Sequence, residues 1–181
     1  MKLFRKSKKV ISVILAIALL SAGPFVVPIV VYATEADTVL ATETLPTTLG
    51  PPALIVVYRI SNLCSVYDAN NQLLNAFPVS TGRFGYETPL GVFQIYQHTT
   101  GSGYHPMVDG TYGRYCMRFL EGGYMFHSVC YAYPGAPEPI PEEVASIGAS
   151  VSRGCIRLNV ADAAWLYNTT PNGCLVAIFD Y

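Results

Sequence analysis

Short apolar runs separated by Asn-, Asp- and Gly-rich breaks dominate the chain beyond residue 53, a pattern of strands and tight turns. Residues 54–60 (LIVVYRI) form a first strand. Residues 63–67 and 73–79 flank Asp68-Ala-Asn-Asn71, where Asn and Asp tolerate positive φ and bond their own backbone, so 63–79 is a hairpin. Residues 92–96 make another strand. A second hairpin joins 114–120 to 124–130 through Glu121-Gly122-Gly123. Asn159, with Asp162 three positions on, has the form of a helix start, and the helix runs through Trp165 and Tyr167. After the turn Thr170-Pro171-Asn172-Gly173, residues 174–179 close the pattern with a strand. Many short strands and one clear helix imply a mainly β fold, a β-sandwich with one or two short helices.

The first fifty residues follow another rule. Lys2, Arg5, Lys6, Lys8 and Lys9 precede an apolar stretch, 10–20; a break at Ser21-Ala22-Gly23-Pro24 follows, and then residues 28–33, which end in the small residue Ala33. This is the layout of a signal peptide, residues 1–33, with cleavage after Ala33. An uncleaved membrane anchor through residues 10–31 is the alternative, since about 20 apolar residues cross a bilayer. No cysteine stands nearby for lipid attachment. Residues 34–52 are Thr- and Pro-rich without apolar period and read as a linker, leaving one domain, 53–181. Either way the domain is expected outside the cytoplasm, secreted or tethered to the outer face of the cytoplasmic membrane.

Charge sharpens this. The whole chain of 181 residues has a formal net charge of −1, but every lysine lies before residue 10. Beyond Ala33, six arginines face twelve acidic residues. A nucleic-acid partner is excluded, because phosphate neutralisation needs a basic face.

The chemistry gathers near residue 155. Five cysteines in an exported chain suggest disulfides, yet the number is odd. Cys155 stands in Ser152-Arg-Gly-Cys-Ile-Arg157, where a glycine permits a tight turn that presents backbone amides. A thiol there becomes a nucleophile if a base activates it. Of His98, His105 and His127, the last lies on a strand (Tyr124-Met-Phe-His-Ser128), a rigid mount, whereas the other two flank a Gly-rich surface loop.

At these residues the sequence resembles the L,D-transpeptidase catalytic domain family, the YkuD type. That family has a strand histidine, then Ser-His-Gly-Cys, an apolar residue and Arg or Asn. This chain has Phe126-His127-Ser128 and Ser152-Arg153-Gly154-Cys155-Ile156-Arg157. Two upstream stretches, Phe77-Pro-Val-Ser-Thr-Gly82 and Thr88-Pro-Leu-Gly-Val-Phe93, match the family in order, and the likeness covers about residues 54–181. It implies a peptidoglycan cysteine transpeptidase that releases D-Ala from a tetrapeptide stem and passes the acyl group to an amine of a neighbouring stem, giving 3–3 cross-links. It implies Cys155 as nucleophile and His127 as general base and acid. The main-chain carbonyl of Ser128 would orient His127, and the N–H groups of Gly154 and Cys155 would be oxyanion donors. Arg157 would hold a substrate carboxylate, with Ser152 and Arg153 beside it.

Arg153 stands where the family usually has histidine; a cation there would favour the thiolate. No cofactor, metal or protein partner is called for; stem peptides are the expected partner. The same residues suit an L,D-carboxypeptidase that lets water resolve the thioester, and the fold suits a non-catalytic wall-binding relative. The simplest alternative for Arg118 and Arg157 is surface pairing with acids. The long Pro-rich interval 128–152 reads as a stiff loop bordering the cleft. The other cysteines, 64, 116, 130 and 174, allow three pairings; Cys116–Cys130 across the second hairpin with Cys64–Cys174 is the one its geometry suggests.

Overall fold

The structure, a computed structural model, describes residues 49–99 and 103–180; the signal or anchor segment and residues 34–48 of the linker lie outside them. The chain runs through β1 (Pro52–Tyr58), β2 (Leu63–Asp68), β3 (Leu73–Pro78), β4 (Gly91–Gln94), β5 (Gln97–His98), β6 (His105–Pro106) and β7 (Tyr112–Gly113). It continues through β8 (Met117–Leu120), β9 (Tyr124–Ser128), α1 (Pro141–Ala145), β10 (Ile156–Leu158), α2 (Val160–Thr169) and β11 (Leu175–Phe179). One sheet has the order β3-β2-β1-β11-β4 and a second β10-β9-β8-β5, with β6-β7 a separate ribbon. Both sheets are mixed, since β1 pairs parallel with β11 and β9 parallel with β10.

The two main sheets share one core. Ile55, Val57, Val66 and Ile178 from the first meet Met117, Phe126, Ile156 and Leu158 from the second, all essentially without solvent contact. Each such side chain contributes about 1.5–3 kcal/mol relative to an exposed one, so the seam between the sheets is where the fold is held. Helix α2 buries Ala163 and Leu166 against this cluster. The mainly β sandwich read from the sequence is the fold observed.

Local differences have local causes. The 68–71 turn forms because Asp68 Oδ1 accepts the Asn70 and Gln72 N–H groups at 2.8 and 2.9 Å, with Asn71 at φ 59°. A second helix, α1, stands inside the proline-rich interval expected to be loop; Pro141 opens it, where a missing N–H costs nothing. Helix α2 begins at Asn159 as expected, though through its backbone carbonyl, which accepts the Ala163 N–H at 2.9 Å, without a side-chain cap.

The disulfide expectation is corrected: all five cysteines are free thiols. The second hairpin pairs Met117 with Phe126 and bridges Tyr112 to Tyr131, a register that sets Cys116 level with His127 and Cys130 level with Gly113. Cys64 lies across from Val57, whose partner on β11 is Ile178, four positions beyond Cys174. Neither pair is in register to bond.

Candidate active site

Strand β9 has neighbours on both edges, β8 and β10, and its residues 125–128 are buried. His127 is therefore mounted in the core, 1% exposed, with its Nδ1 2.6 Å from the carbonyl oxygen of Ser128. A carbonyl only accepts, so Nδ1 carries the hydrogen and Nε2 keeps its lone pair. Burial and the nearby Arg157 push the imidazole down to about 4, against the bond to Ser128, which pulls the other way. At neutral pH the ring is an uncharged base.

Gly113 fixes the other side of that ring. A Cβ added there would collide with the Met107 methyl and stand 2.9 Å from His127 Nδ1. Gly113→Ala is expected to turn the imidazole and lower turnover about 100-fold, the order lost when a reacting group moves by about 1 Å. Kinetics beside a thermal melt check this: loss of the fold with no separate loss of rate would contradict it.

The thiol comes from the next strand over. β10 pairs parallel with β9, placing Arg157 across from His127, and Cys155 sits one residue before β10 begins. The loop ahead of it is tied at several points. Ser152, buried, donates from Oγ to the Cys155 carbonyl at 2.6 Å and accepts the Gly154 N–H at 3.0 Å. Thr88 Oγ1 accepts the Gly82 N–H at 2.9 Å and donates to the Gly154 carbonyl at 3.0 Å. Gly154 has φ 107°, and a Cβ there would lie 2.6 Å from the Tyr124 ring, so both conformation and space demand glycine. One expectation changes: the Gly154 N–H is already spent on Ser152, which leaves the Cys155 N–H as this loop's candidate oxyanion donor. Ser152 is accordingly a loop anchor.

Cys155 is half-buried, its Sγ donating to the Gly123 carbonyl at 3.4 Å. Burial pushes the thiol up, outweighing the hydrogen bond from the Met125 backbone and the pull of Arg157 and Arg118. Arg153 is exposed; the cations that favour the thiolate are Arg157 and Arg118, and burial outweighs them. The resting pair is thus thiol and neutral imidazole. Alkylation of Cys155 by iodoacetamide is expected to keep accelerating as pH rises past the ordinary thiol range near ~8.5. Peptide mapping separates it from the four buried cysteines, and a rate already on a plateau between about pH 6 and 7 would indicate an ion pair instead.

Thiol and imidazole open on one cleft of about 290 Å³, whose lining also holds Arg157, Arg153, Arg118 and His105. Arg157 is otherwise engaged: its Nη1 is 2.7 Å from Glu143 Oε1 of α1, and both side chains are largely buried. Glu143 Oε2 also accepts the Cys130 N–H at 3.1 Å. The arginine expected to receive a substrate carboxylate thus has a carboxylate of the protein's own. His98 lies away from this cleft, its Nδ1 2.8 Å from Asn172 Oδ1. His105, read from sequence as surface loop, is in the cleft wall beside Arg118. For Arg118 a signal existed: it is the one charge in the apolar run 116–120, alternating away from Met117 and Phe119.

A strand-borne imidazole and a loop-borne thiol facing one cleft define the class: a β-sandwich protein with a cysteine–histidine site. The chain belongs to the YkuD family, the L,D-transpeptidase catalytic domain, whose family model matches residues 52–178. It is 31% identical over 109 residues to YkuD of Bacillus subtilis, covering 60% of this chain and 56% of that one. It is 31% identical over 108 residues to YkuD of Bacillus licheniformis, covering 60% and 54%. The chain thus spans about half the length of the curated relatives it matches. An L,D-transpeptidase from Mycobacterium smegmatis shares the fold with a TM-score of 0.58 at 24% identity, over 71% of this chain and 59% of that one. One from Stackebrandtia nassauensis does so at 0.54 and 20%, over 77% and 60%.

Proposed function

We propose that this domain is a peptidoglycan L,D-transpeptidase that joins stem peptides through a Cys155 thioester. The observation that carries the reading is that His127, with a free lone pair on Nε2, and the Cys155 thiol line a single cleft. Nε2 takes the thiol proton as Sγ attacks the carbonyl between the third stem residue and D-Ala. The Cys155 N–H faces the oxyanion that forms. The C–N bond then breaks, His127 returns the proton to the departing D-Ala amine, and a thioester remains. An amine of a second stem attacks it, His127 takes that amine's proton, and the thiol is re-formed as the 3–3 amide closes. Because the imidazole is neutral beforehand, it accepts a proton at each attack without first losing one. Ser128 holds the ring through its carbonyl.

The basic and apolar composition of segment 1–33 supports a site of action outside the cytoplasm, and the Thr- and Pro-rich composition of 34–52 supports its reading as a tether. Incubation with a disaccharide-tetrapeptide and chromatography of the products tests the reading. Cross-linked dimers are expected; tripeptide alone would indicate the carboxypeptidase, with water in place of the acceptor amine.

A further inference from the structure

We propose that Arg118, oriented by His105, binds a carboxylate of the stem peptide. The proposal rests on the stem-peptide reading above and identifies which side chain reads the substrate's charge. Three of the six arginines beyond Ala33 line the Cys155 cleft, although that part of the chain is acidic. Arg157 is neutralised by Glu143 at 2.7 Å, and Arg153 is exposed at the rim. Arg118 has neither excuse. It is half-buried on β8, and among the described residues the ion pairs are Arg59–Asp180 and Arg157–Glu143, so none of their carboxylates takes up its charge. Asp109, the carboxylate in the same cleft wall, accepts from Thr111 through its Oγ1 at 2.6 Å and its N–H at 3.2 Å.

The hydrogen-bond partner of Arg118 is an imidazole. Its Nη2 is 3.4 Å from His105 Nε2, and since a guanidinium only donates, that nitrogen accepts and the His105 ring is neutral. One edge of the fork is thereby directed while its charge stays unspent. The pair also has a distinctive place: the Cys155 cleft and a neighbouring hollow of about 300 Å³, lined by Tyr96, Gln97 and Thr99, have only His105 and Arg118 in common. A chain lying in the cleft meets the guanidinium at the wall the two hollows share. A partly desolvated, unpaired guanidinium in that position favours a carboxylate through charge-assisted hydrogen bonds.

A tetrapeptide stem offers two candidates, the terminal carboxylate of D-Ala and a side-chain carboxylate on a diamino-diacid third residue. Three peptides separate them: the parent with both acids free, the side-chain amide and the terminal amide. For the wild-type protein, kcat/KM is expected to fall about 10- to 100-fold on one amide and little on the other, which identifies the carboxylate. Arg118→Gln should lose a similar factor on the parent and nothing further on that amide, and Arg118→Lys should recover part of the loss. An equal loss by Arg118→Gln on all three peptides, or none on the parent, would overturn the assignment. If the wild-type protein turns over no peptide, the transpeptidase reading fails by itself. Calorimetric titration of Cys155→Ala with the same peptides still decides the subsite: parent binding tighter than one amide, and levelled by Arg118→Gln, sustains it; indifference to amidation, or no binding, refutes it.

Discussion

Cys155→Ala is expected to lower stem-peptide turnover by about 10⁴-fold or more and to leave no covalent adduct on the protein. The thiol has no stand-in. Cys116, Cys130, Cys64 and Cys174 are all buried, and burial pushes Cys116 and Cys130 up to about 12 and Cys174 up to about 11. The loop should survive the change, because its ties run through Ser152, Thr88 and the Cys155 carbonyl, and alanine keeps every one of them. What alanine loses is the Sγ bond to the Gly123 carbonyl at 3.4 Å, a weak contact. An unchanged melting temperature with abolished turnover, followed by chromatography of the peptides, is the expected pair of results. Turnover persisting within tenfold of wild type would remove Cys155 from the chemistry.

His127→Gln is expected to cost about 10²- to 10⁴-fold in turnover, the range for losing a positioned general base. The reasoning depends on protonation. With the imidazole held down to about 4 and the thiol held up, no thiolate stands ready at neutral pH, so each attack needs the ring to accept a proton in the same step. Glutamine is similar in size and polar enough for a site that faces the Ser128 carbonyl, but it cannot act as that base. The variant should therefore alkylate with iodoacetamide nearly as fast as wild type at high pH, where hydroxide supplies the thiolate, while failing at neutral-pH turnover. Equal losses in both assays would mean that His127 shapes the cleft without moving a proton.

Much of the fold was legible because its strands are written locally. The hairpins at 63–79 and 114–130 follow from Asn, Asp and Gly breaks between apolar runs, and both form with the antiparallel pairing those breaks imply. α1 was not legible: five residues within a Pro-rich stretch carry no helical period, and Pro141 reads equally well as loop. At the site, Cys155 and His127 stood out through the residues around them. The salt bridge from Arg157 to Glu143 did not, since the partner lies 14 positions away in that same stretch and no spacing rule links them. The engagement of the Gly154 N–H was not legible either, because a sequence cannot say that Ser152 Oγ folds back to claim it. The place of His105 was likewise hidden, as a two-residue strand within a Gly-rich segment leaves no alternation to read.

The most direct test is the intact mass of the domain after brief incubation with a disaccharide-tetrapeptide. An added mass equal to the donor less D-Ala, mapped to Cys155 and absent from Cys155→Ala, is the expected result. A folded protein that consumes the peptide with no such adduct, or carries it on another residue, would contradict acyl transfer through Cys155.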